Sequence, residues 1–100
     1  DEETARKTAA AMKAAGVPAF YWYDNNWHYI RNWEHFRLSR TMYRLSAEQE
    51  NVMTRYAEQT FPESDAILSR CISMPVPLNQ SYAELVDRKK RIVEVMKTIF

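Results

Sequence analysis

The segment that decides the predicted fold is AFYWY, residues 19–23, which lies between Pro18 and the polar run DNN at 24–26. Aromatic residues favour extended backbone, and a preceding proline and following short polar residues mark the ends of such a run. The sequence therefore predicts a β-strand over 19–23. A second strand is predicted over 71–75, and Pro75 places its end at a sheet edge or outside the ladder.

Helices are predicted on both sides of these strands. Residues 1–15 begin with acidic residues and continue with alanines, and Gly16 can take the left-handed conformation that ends a helix. Residues 81–100 begin with a capping box formed by Ser81 and Glu84, followed by apolar residues on one face. Both segments are therefore predicted to be amphipathic helices.

The middle of the chain is also expected to be helical. Aromatic and apolar residues recur at nearly helical spacing over 27–45, Ser46 starts a further helix towards residue 60, and 64–68 form a brief turn. The order predicts an α+β domain with a short antiparallel sheet and helices packed on one face. Because two strands alone are marginal, either a further strand, before Asp1, or the helices must complete the sheet.

Composition excludes several classes of protein. The 100 residues allow one domain, and a net charge of +1 gives no electrostatic attraction for nucleic acid or an anionic membrane. The single glycine excludes a P-loop, a dinucleotide fingerprint and a nucleophile elbow. The single Cys71 excludes an internal disulfide, favours a buried, inert thiol and indicates a reducing, cytoplasmic compartment. No apolar run approaches the roughly 20 residues of a membrane-spanning helix.

Neither a metal site nor a cofactor-binding lysine is predicted. His28 and His35 would be separated by about 10 Å of helical rise, too far to share one metal ion. The five lysines fall at flanking or solvent-facing positions of predicted helices. None of them matches the buried amine that forms an imine with a cofactor.

Polar and aromatic side chains cluster directly after the first predicted strand: Asn25, Asn26, Trp27, His28 and Tyr29. Loops at strand ends often hold substrate contacts, although a turn followed by core aromatics explains the same residues. Arg70, before the second strand, has the geometry to clamp a carboxylate or phosphate, or to pair with Glu63 or Asp65 on the surface. These residues are the candidate binding groups.

An alternative binding surface is the segment 27–44, where four arginines alternate with aromatic residues. This composition is typical of proteins that bind single-stranded nucleic acid. The near-zero net charge and the lack of a known nucleic-acid motif favour a solvated arginine face over a buried aromatic face. The alternative function is therefore a small protein- or RNA-binding module that uses this segment.

Two stretches resemble the C-terminal region of the DegT/DnrJ/StrS sugar aminotransferases. They are FYWYDNNWHY at 20–29, with Asn32-Trp33 and His35 after it, and SDAILSRCISM at 64–74. The resemblance covers nearly all of residues 10–100 and is closest to the branch that makes 8-amino-3,8-dideoxy-manno-octulosonate, a lipopolysaccharide sugar.

The resemblance implies that residues 1–100 are the small C-terminal domain of a fold-type I, pyridoxal-phosphate-dependent aminotransferase. Such an enzyme is cytoplasmic, normally forms a homodimer and transfers an amino group from glutamate to a keto sugar. The family binds its cofactor in the large domain, so the chain alone is expected to be an inactive fragment that holds no catalytic residue. In the whole enzyme, residues 25–29 are expected to contact the sugar, and Arg70 to anchor a carboxylate.

Overall fold

The computed structural model describes all residues 1–100, and its regular elements are helices. The five α-helices are α1 Glu2–Ala14, α2 Glu34–Arg37, α3 Ala47–Glu58, α4 Pro62–Leu68 and α5 Tyr82–Ile99. Two 3-10 turns, Trp22–Asp24 and Ile30–Asn32, lie between α1 and α2. No helix is both long enough and apolar enough to cross a membrane.

The predicted α+β fold with an antiparallel sheet is wrong, because 60% of the chain is helical and no sheet forms. One antiparallel bridge remains, in which Phe20 and Ser73 exchange N–H to carbonyl bonds of 2.8 and 3.0 Å. An antiparallel ladder extended from this bridge towards the N-terminus of residue 20 would next pair Pro18 with Pro75. Neither proline has an N–H, so this pair cannot form hydrogen bonds. On the other side the chain enters a 3-10 turn at Trp22. The ladder therefore stops after one pair.

Helix α1 ends as the sequence predicts. The N–H groups of Gly16 and Val17 donate to the carbonyls of Lys13 and Met12 at 3.0 and 2.9 Å, which is the Schellman arrangement. Gly16 has φ +71°, and a Cβ there would lie 2.8 Å from Nη1 of Arg91. This position therefore favours glycine for its left-handed backbone conformation, whereas the Arg91 guanidinium, at the end of a flexible side chain, would only have to shift.

The core lies where α1 packs against α5. Met12, Val17 and Val95 form its buried centre, with alanines and isoleucines of both helices around it. The capping box predicted at the start of α5 is confirmed, since the Ser81 and Glu84 side chains each accept from the other residue's backbone N–H. The two terminal helices therefore form the best-packed part of the chain.

The continuous helix predicted over 27–45 is wrong. The Asn25 side chain accepts the N–H groups of Trp27 and His28 and forms a turn, which competes with helical hydrogen bonding. Only a 3-10 turn and the single-turn α2 follow, and Ser39 has φ +48°. The next helix, α3, begins at a capping box of Ser46 and Gln49, as the sequence predicts for Ser46.

The chain is extended for its length. Its radius of gyration is 18.8 Å, whereas a compact chain of this length is expected to have about 13 Å. Its accessible surface is 7968 Å², against roughly 6,000 Å² for a compact protein of this mass. The predicted burial of Cys71 is also wrong, because this residue is exposed. Much apolar surface is therefore uncovered, on side chains that include Trp27, Met42, Tyr43, Val76, Leu78 and Phe100.

Candidate functional site

A cleft of about 570 Å³ opens beside the predicted binding segment. It is lined by Asn26, Trp27, Asn32, Trp33, Glu34 and His35. Small-molecule sites in proteins commonly measure about 300–1,000 Å³. The lining combines aromatic rings with amides, one carboxylate and one imidazole. The cleft can therefore offer apolar faces and several hydrogen-bonding groups to the same ligand.

Asn25 shapes the loop that carries the cleft's outer residues. Its Oδ1 accepts the backbone N–H groups of Trp27 and His28 at 2.8 and 2.9 Å. This is an Asx turn, in which a short side chain replaces a backbone acceptor. The turn leaves Trp27 with 83% of its surface exposed. Trp27, one of the residues that line the cleft, is therefore largely exposed to solvent.

Asn32 joins the cleft to the preceding 3-10 turn. Its Nδ2 donates to the carbonyls of Tyr23 at 2.6 Å and Asn25 at 3.3 Å. Both amide hydrogens are thereby engaged with backbone, so the side-chain oxygen is the polar atom of Asn32 that stays without a partner in the chain. Asn32 is one of the residues that line the cleft. Asn32 was part of the resemblance but was not among the predicted contacts.

Two residues of the cleft lining, Trp33 and His35, belong to an aromatic stack. The Trp33 ring lies 5.5 Å from the His35 ring and 5.6 Å from the Phe36 ring, with interplanar angles of 22° and 18°. Phe36 in turn contacts Tyr56 of α3, with their ring centroids 5.7 Å apart. The packing of Phe36 on α3 therefore supports the stacked rings of Trp33 and His35.

His28 lies outside the cleft, against Trp22. The two rings meet edge to face at 4.5 Å, and the Trp22 indole donates to Oγ of Ser73 at 2.8 Å. The His28 Nδ1 lies 2.9 Å from Oδ1 of Asn25. His28 is exposed, so its ring lies at the surface between the Asx turn and the Phe20–Ser73 bridge.

Tyr29 is a core residue with 5% of its surface exposed. Its hydroxyl donates to Oδ1 of Asp65, and its ring packs near those of Tyr23 and Phe61. Burial, and then the bond to Asp65, raise the pKa of Tyr29 to about 12. The structure therefore places Tyr29 in the packing beneath the loop and does not bring it to the cleft.

Arg31 completes a cluster that the sequence did not predict. Its Nη1 lies 3.0 Å from Oδ1 of Asp65 and bonds the Tyr23 hydroxyl, and its guanidinium lies 4.4 Å from the centre of the Tyr23 ring. Asp65 thus bonds both Arg31 and Tyr29, and it links the loop of residues 25–32 to α4. Because these partners are more than thirty residues from Asp65 in sequence, no local pattern could have identified the cluster.

Arg70 belongs to a different part of the surface. Its Nε donates to the carbonyl of Ala66 at 2.8 Å. Its side chain lines a groove of about 310 Å³ between α1, α5 and residues 72–74. Asp1 and Phe100 line the same groove, whereas Asn26 and Trp27 do not. Within this chain, Arg70 is therefore not brought together with the aromatic cleft.

No group of three or more histidine, cysteine, aspartate or glutamate side chains is placed to hold a metal ion. The five lysines all lie exposed on α1 or α5, and two of them, Lys7 and Lys97, pair with glutamates on the same helix. No protein-family model matches the chain. The cleft, which contains two of the predicted binding residues, Asn26 and Trp27, is therefore the candidate site.

Proposed function

We propose that the chain is the small C-terminal domain of a cytoplasmic, pyridoxal-phosphate-dependent sugar aminotransferase. The enzyme moves an amino group from glutamate to a keto sugar for cell-surface polysaccharide or lipopolysaccharide synthesis, and works as a homodimer. The role of this domain is to shape the sugar site. The observation that carries the proposal is the lining of the cleft, which lies within the stretch that resembles these enzymes.

The chemistry of the cleft suits a sugar. A sugar ring has apolar C–H faces, which the Trp27 and Trp33 rings can cover, and many hydroxyls, which require neutral donors and acceptors. Asn26, Asn32 and His35 supply such groups, and the one formal charge on the lining is the Glu34 carboxylate. A carboxylate accepts from hydroxyls or from an amine, so the lining also suits an amino sugar.

The residues of this chain do not fit the cofactor. Every lysine is exposed on a helix, and the one glycine is used to end α1. Neither an imine-forming amine nor a glycine-rich phosphate loop is therefore present. Pyridoxal phosphate supplies the electron sink for amino transfer in such enzymes, and in the proposed enzyme a large domain outside residues 1–100 binds it.

Sugar binding can be tested on the chain itself by following the tryptophan indole N–H resonances during a titration with 8-amino-3,8-dideoxy-manno-octulosonate. We expect saturable shifts for the indole N–H groups of Trp27 and Trp33, the two tryptophans that line the cleft. Trp27→Ala should weaken binding. Tyr82→Ala is the matched control, because Tyr82 is also 83% exposed but lies outside the cleft. Equal weakening by both variants, or no saturable shift, would contradict the proposal.

The assignment of the cofactor to another domain has its own test. With pyridoxal phosphate alone, the chain should give no saturable absorbance change that depends on one particular lysine. The coding sequence upstream of Asp1 should encode the cofactor-binding domain. A lysine within residues 1–100 whose substitution abolishes specific cofactor binding would overturn this part.

The alternative, an RNA-binding module, draws support from one observation. Arg37 and Arg44 are exposed, and so are Met42 and Tyr43, with 94% and 80% of their surfaces exposed. However, Arg31 is occupied by Asp65 and Arg40 faces Glu34 at 3.5 Å. A salt titration with single-stranded RNA separates the two functions, because a nucleic-acid complex loses affinity steeply as salt rises. Tight, salt-sensitive RNA binding would favour the alternative over the aminotransferase.

A further inference from the structure

The orientation of the Asn25 amide is fixed by its backbone partners. Two N–H donors, from Trp27 and His28, lie 2.8 and 2.9 Å from the same side-chain atom. Only the amide oxygen can accept from both, because the amide nitrogen is itself a donor. The atom that faces the loop is therefore Oδ1.

The same oxygen determines which nitrogen of His28 carries hydrogen. Nδ1 of His28 lies 2.9 Å from Oδ1 of Asn25, and Oδ1 is an acceptor. An Nδ1 without hydrogen would place its lone pair against a lone pair of Asn25 Oδ1, which is unfavourable. Nδ1 must therefore carry the hydrogen and donate it to Oδ1. A neutral imidazole has one N–H, which leaves Nε2 as an acceptor.

The ring that bears this acceptor is also held in place from a second side. Trp22 meets it edge to face at 4.5 Å, and Trp22 is itself bonded to Ser73 and stacked on Phe20. Nε2 of His28 has no hydrogen-bond partner within the chain, and the residue is exposed. An oriented acceptor is thus open to a ligand.

His35 shows that this arrangement is particular to His28. The His35 ring lies 5.5 Å from Trp33 and 4.6 Å from Phe36, but neither of its nitrogens has a hydrogen-bond partner in the chain. Stacking alone does not select a tautomer. The chain therefore contains one histidine with a fixed tautomer and one without, in the same loop region.

We propose that Asn25 is a positioning residue, which holds His28 with Nδ1 protonated so that Nε2 accepts a hydrogen bond from a hydroxyl of the part of the sugar that extends out of the cleft past Trp27, the residue that precedes His28. The identity of the ligand rests on the proposed function. The role of Asn25 does not, because it follows from the hydrogen bonds of the unliganded chain. Asn25 thus acts through His28, and its own Oδ1 is already occupied by the loop.

The tautomer is measured by long-range proton–nitrogen NMR correlations of the chain at about pH 9, where an ordinary imidazole is neutral. We expect His28 to have hydrogen on Nδ1 alone and His35 to show a mixture. Asn25→Ala should give His28 the mixed pattern of His35. Asn25→Asp should keep the parent pattern, because a carboxylate oxygen also accepts. Hydrogen on Nε2 of His28 in the parent chain, or an unchanged tautomer in Asn25→Ala, would overturn the positioning role.

The contact with a hydroxyl is measured with the same octulosonate titration. Loss of one neutral hydrogen bond corresponds to roughly three- to tenfold weaker binding. We expect this loss for His28→Ala and Asn25→Ala, recovery in Asn25→Asp, and no change in Asn79→Ala, an exposed asparagine with no side-chain partner. Unchanged affinity in His28→Ala would overturn the contact. If the parent chain binds no sugar, the proposed function and the contact both fail, while the NMR result still decides the role of Asn25.

Discussion

The paired terminal helices and the α2–α3 arm, which we define as residues 33–60, are both helix pairs, yet they differ sharply in burial. All eight buried residues lie outside the arm: Ala5, Thr8, Ala9, Met12, Val17, Tyr23, Tyr29 and Val95. Within the arm, the apolar side chains of Val52 and Tyr56 remain 36% and 45% exposed. The arm is helical without having a core of its own.

The difference shows that helix formation and stability have separate origins in this chain. Helices α3 and α5 begin with the same kind of capping box, so their local start signals are equivalent. Only α5 has a buried residue, Val95, and only α5 packs on α1. Because helical stability in proteins comes mainly from packing of an apolar face, the arm should be the weaker part.

The largest expected effect is therefore at the core of the terminal pair. Met12 is 3% exposed and contacts the buried Val17 and Val95. Met12→Ala should lower the free energy of unfolding by about 2–4 kcal/mol, since it leaves a cavity as well as removing apolar contact. Urea unfolding followed by circular dichroism measures this change.

Met53→Ala is the matched control in the arm, because Met53 is only half-buried on α3. Met53→Ala should lower the free energy of unfolding by less than about 1 kcal/mol. If the two alanine variants lose equal stability, the arm has as much packing as the terminal pair and the comparison between them fails.

The second effect concerns the junction between the regions, where Tyr29 bonds Asp65. Tyr29→Phe keeps the ring and removes the hydroxyl, and should cost about 1–2 kcal/mol in urea unfolding. Asp65 retains its contact with Arg31 at 3.0 Å, so the loop should remain attached to α4. A variant as stable as the parent would show that this hydrogen bond contributes nothing.

Alkaline titration probes the same bond. The pKa of Tyr29 is raised from 10.0 to about 12, first by burial and then by Asp65. The folded state therefore holds this proton more tightly than the unfolded state, so the stabilisation is complete below about pH 10 and is lost as pH rises towards 12. Tyr29→Phe should lack this loss, and an identical alkaline profile in both proteins would contradict the assignment.

Local signals predicted the ends of α1, α3 and α5 well, but they predicted the helix over 27–45 and the pairing of strands badly. Asp1, Gly16, Ser46 and Ser81 act within a few residues, so the helix ends they mark can be read from sequence. The aromatic run 19–23 favours extended backbone, but a sheet also needs partners in register, and the register here pairs two prolines. The pairing of Pro18 with Pro75 can be recognised only once the Phe20–Ser73 bridge is known.

The candidate site was predicted unevenly for the same reason. Asn26 and Trp27 line the cleft because a short-range turn presents them. The burial of Tyr29 and the location of Arg70 depend on Asp65 and on α1 and α5, which lie far away in sequence. Long-range packing therefore decided which members of the predicted group face the cleft.

Removal of the two capping serines should have a smaller effect on stability, and it tests whether α3 is less stable than α5. Ser46→Ala and Ser81→Ala each remove the same bond to an N–H three residues on, worth about 1 kcal/mol. Without a core beneath it, α3 should fray, so amide hydrogen exchange at residues 47–50 should accelerate in Ser46→Ala. In Ser81→Ala, α5 should remain protected and only the global unfolding midpoint should fall. Local fraying of both helices would remove the distinction between the regions.

The smallest expected effect is at the surface link between α1 and the 3-10 turn at Trp22–Asp24. Arg6 donates from Nε and Nη2 to the two carboxylate oxygens of Asp24, at 2.7 and 3.0 Å, and this bond lowers the pKa of Asp24. The contribution is therefore present above about pH 4 and is lost as pH falls, because the unfolded state then binds the proton more tightly. Both side chains are 48% exposed, so Asp24→Asn should cost no more than about 1 kcal/mol, and less in high salt. Glu3→Gln is the control, since the Glu3–Lys7 pair lies within α1 and joins it to nothing else. A measurable, salt-sensitive loss in Asp24→Asn alone would show that this link holds the turn against α1, whereas equal values in both variants would show that it does not.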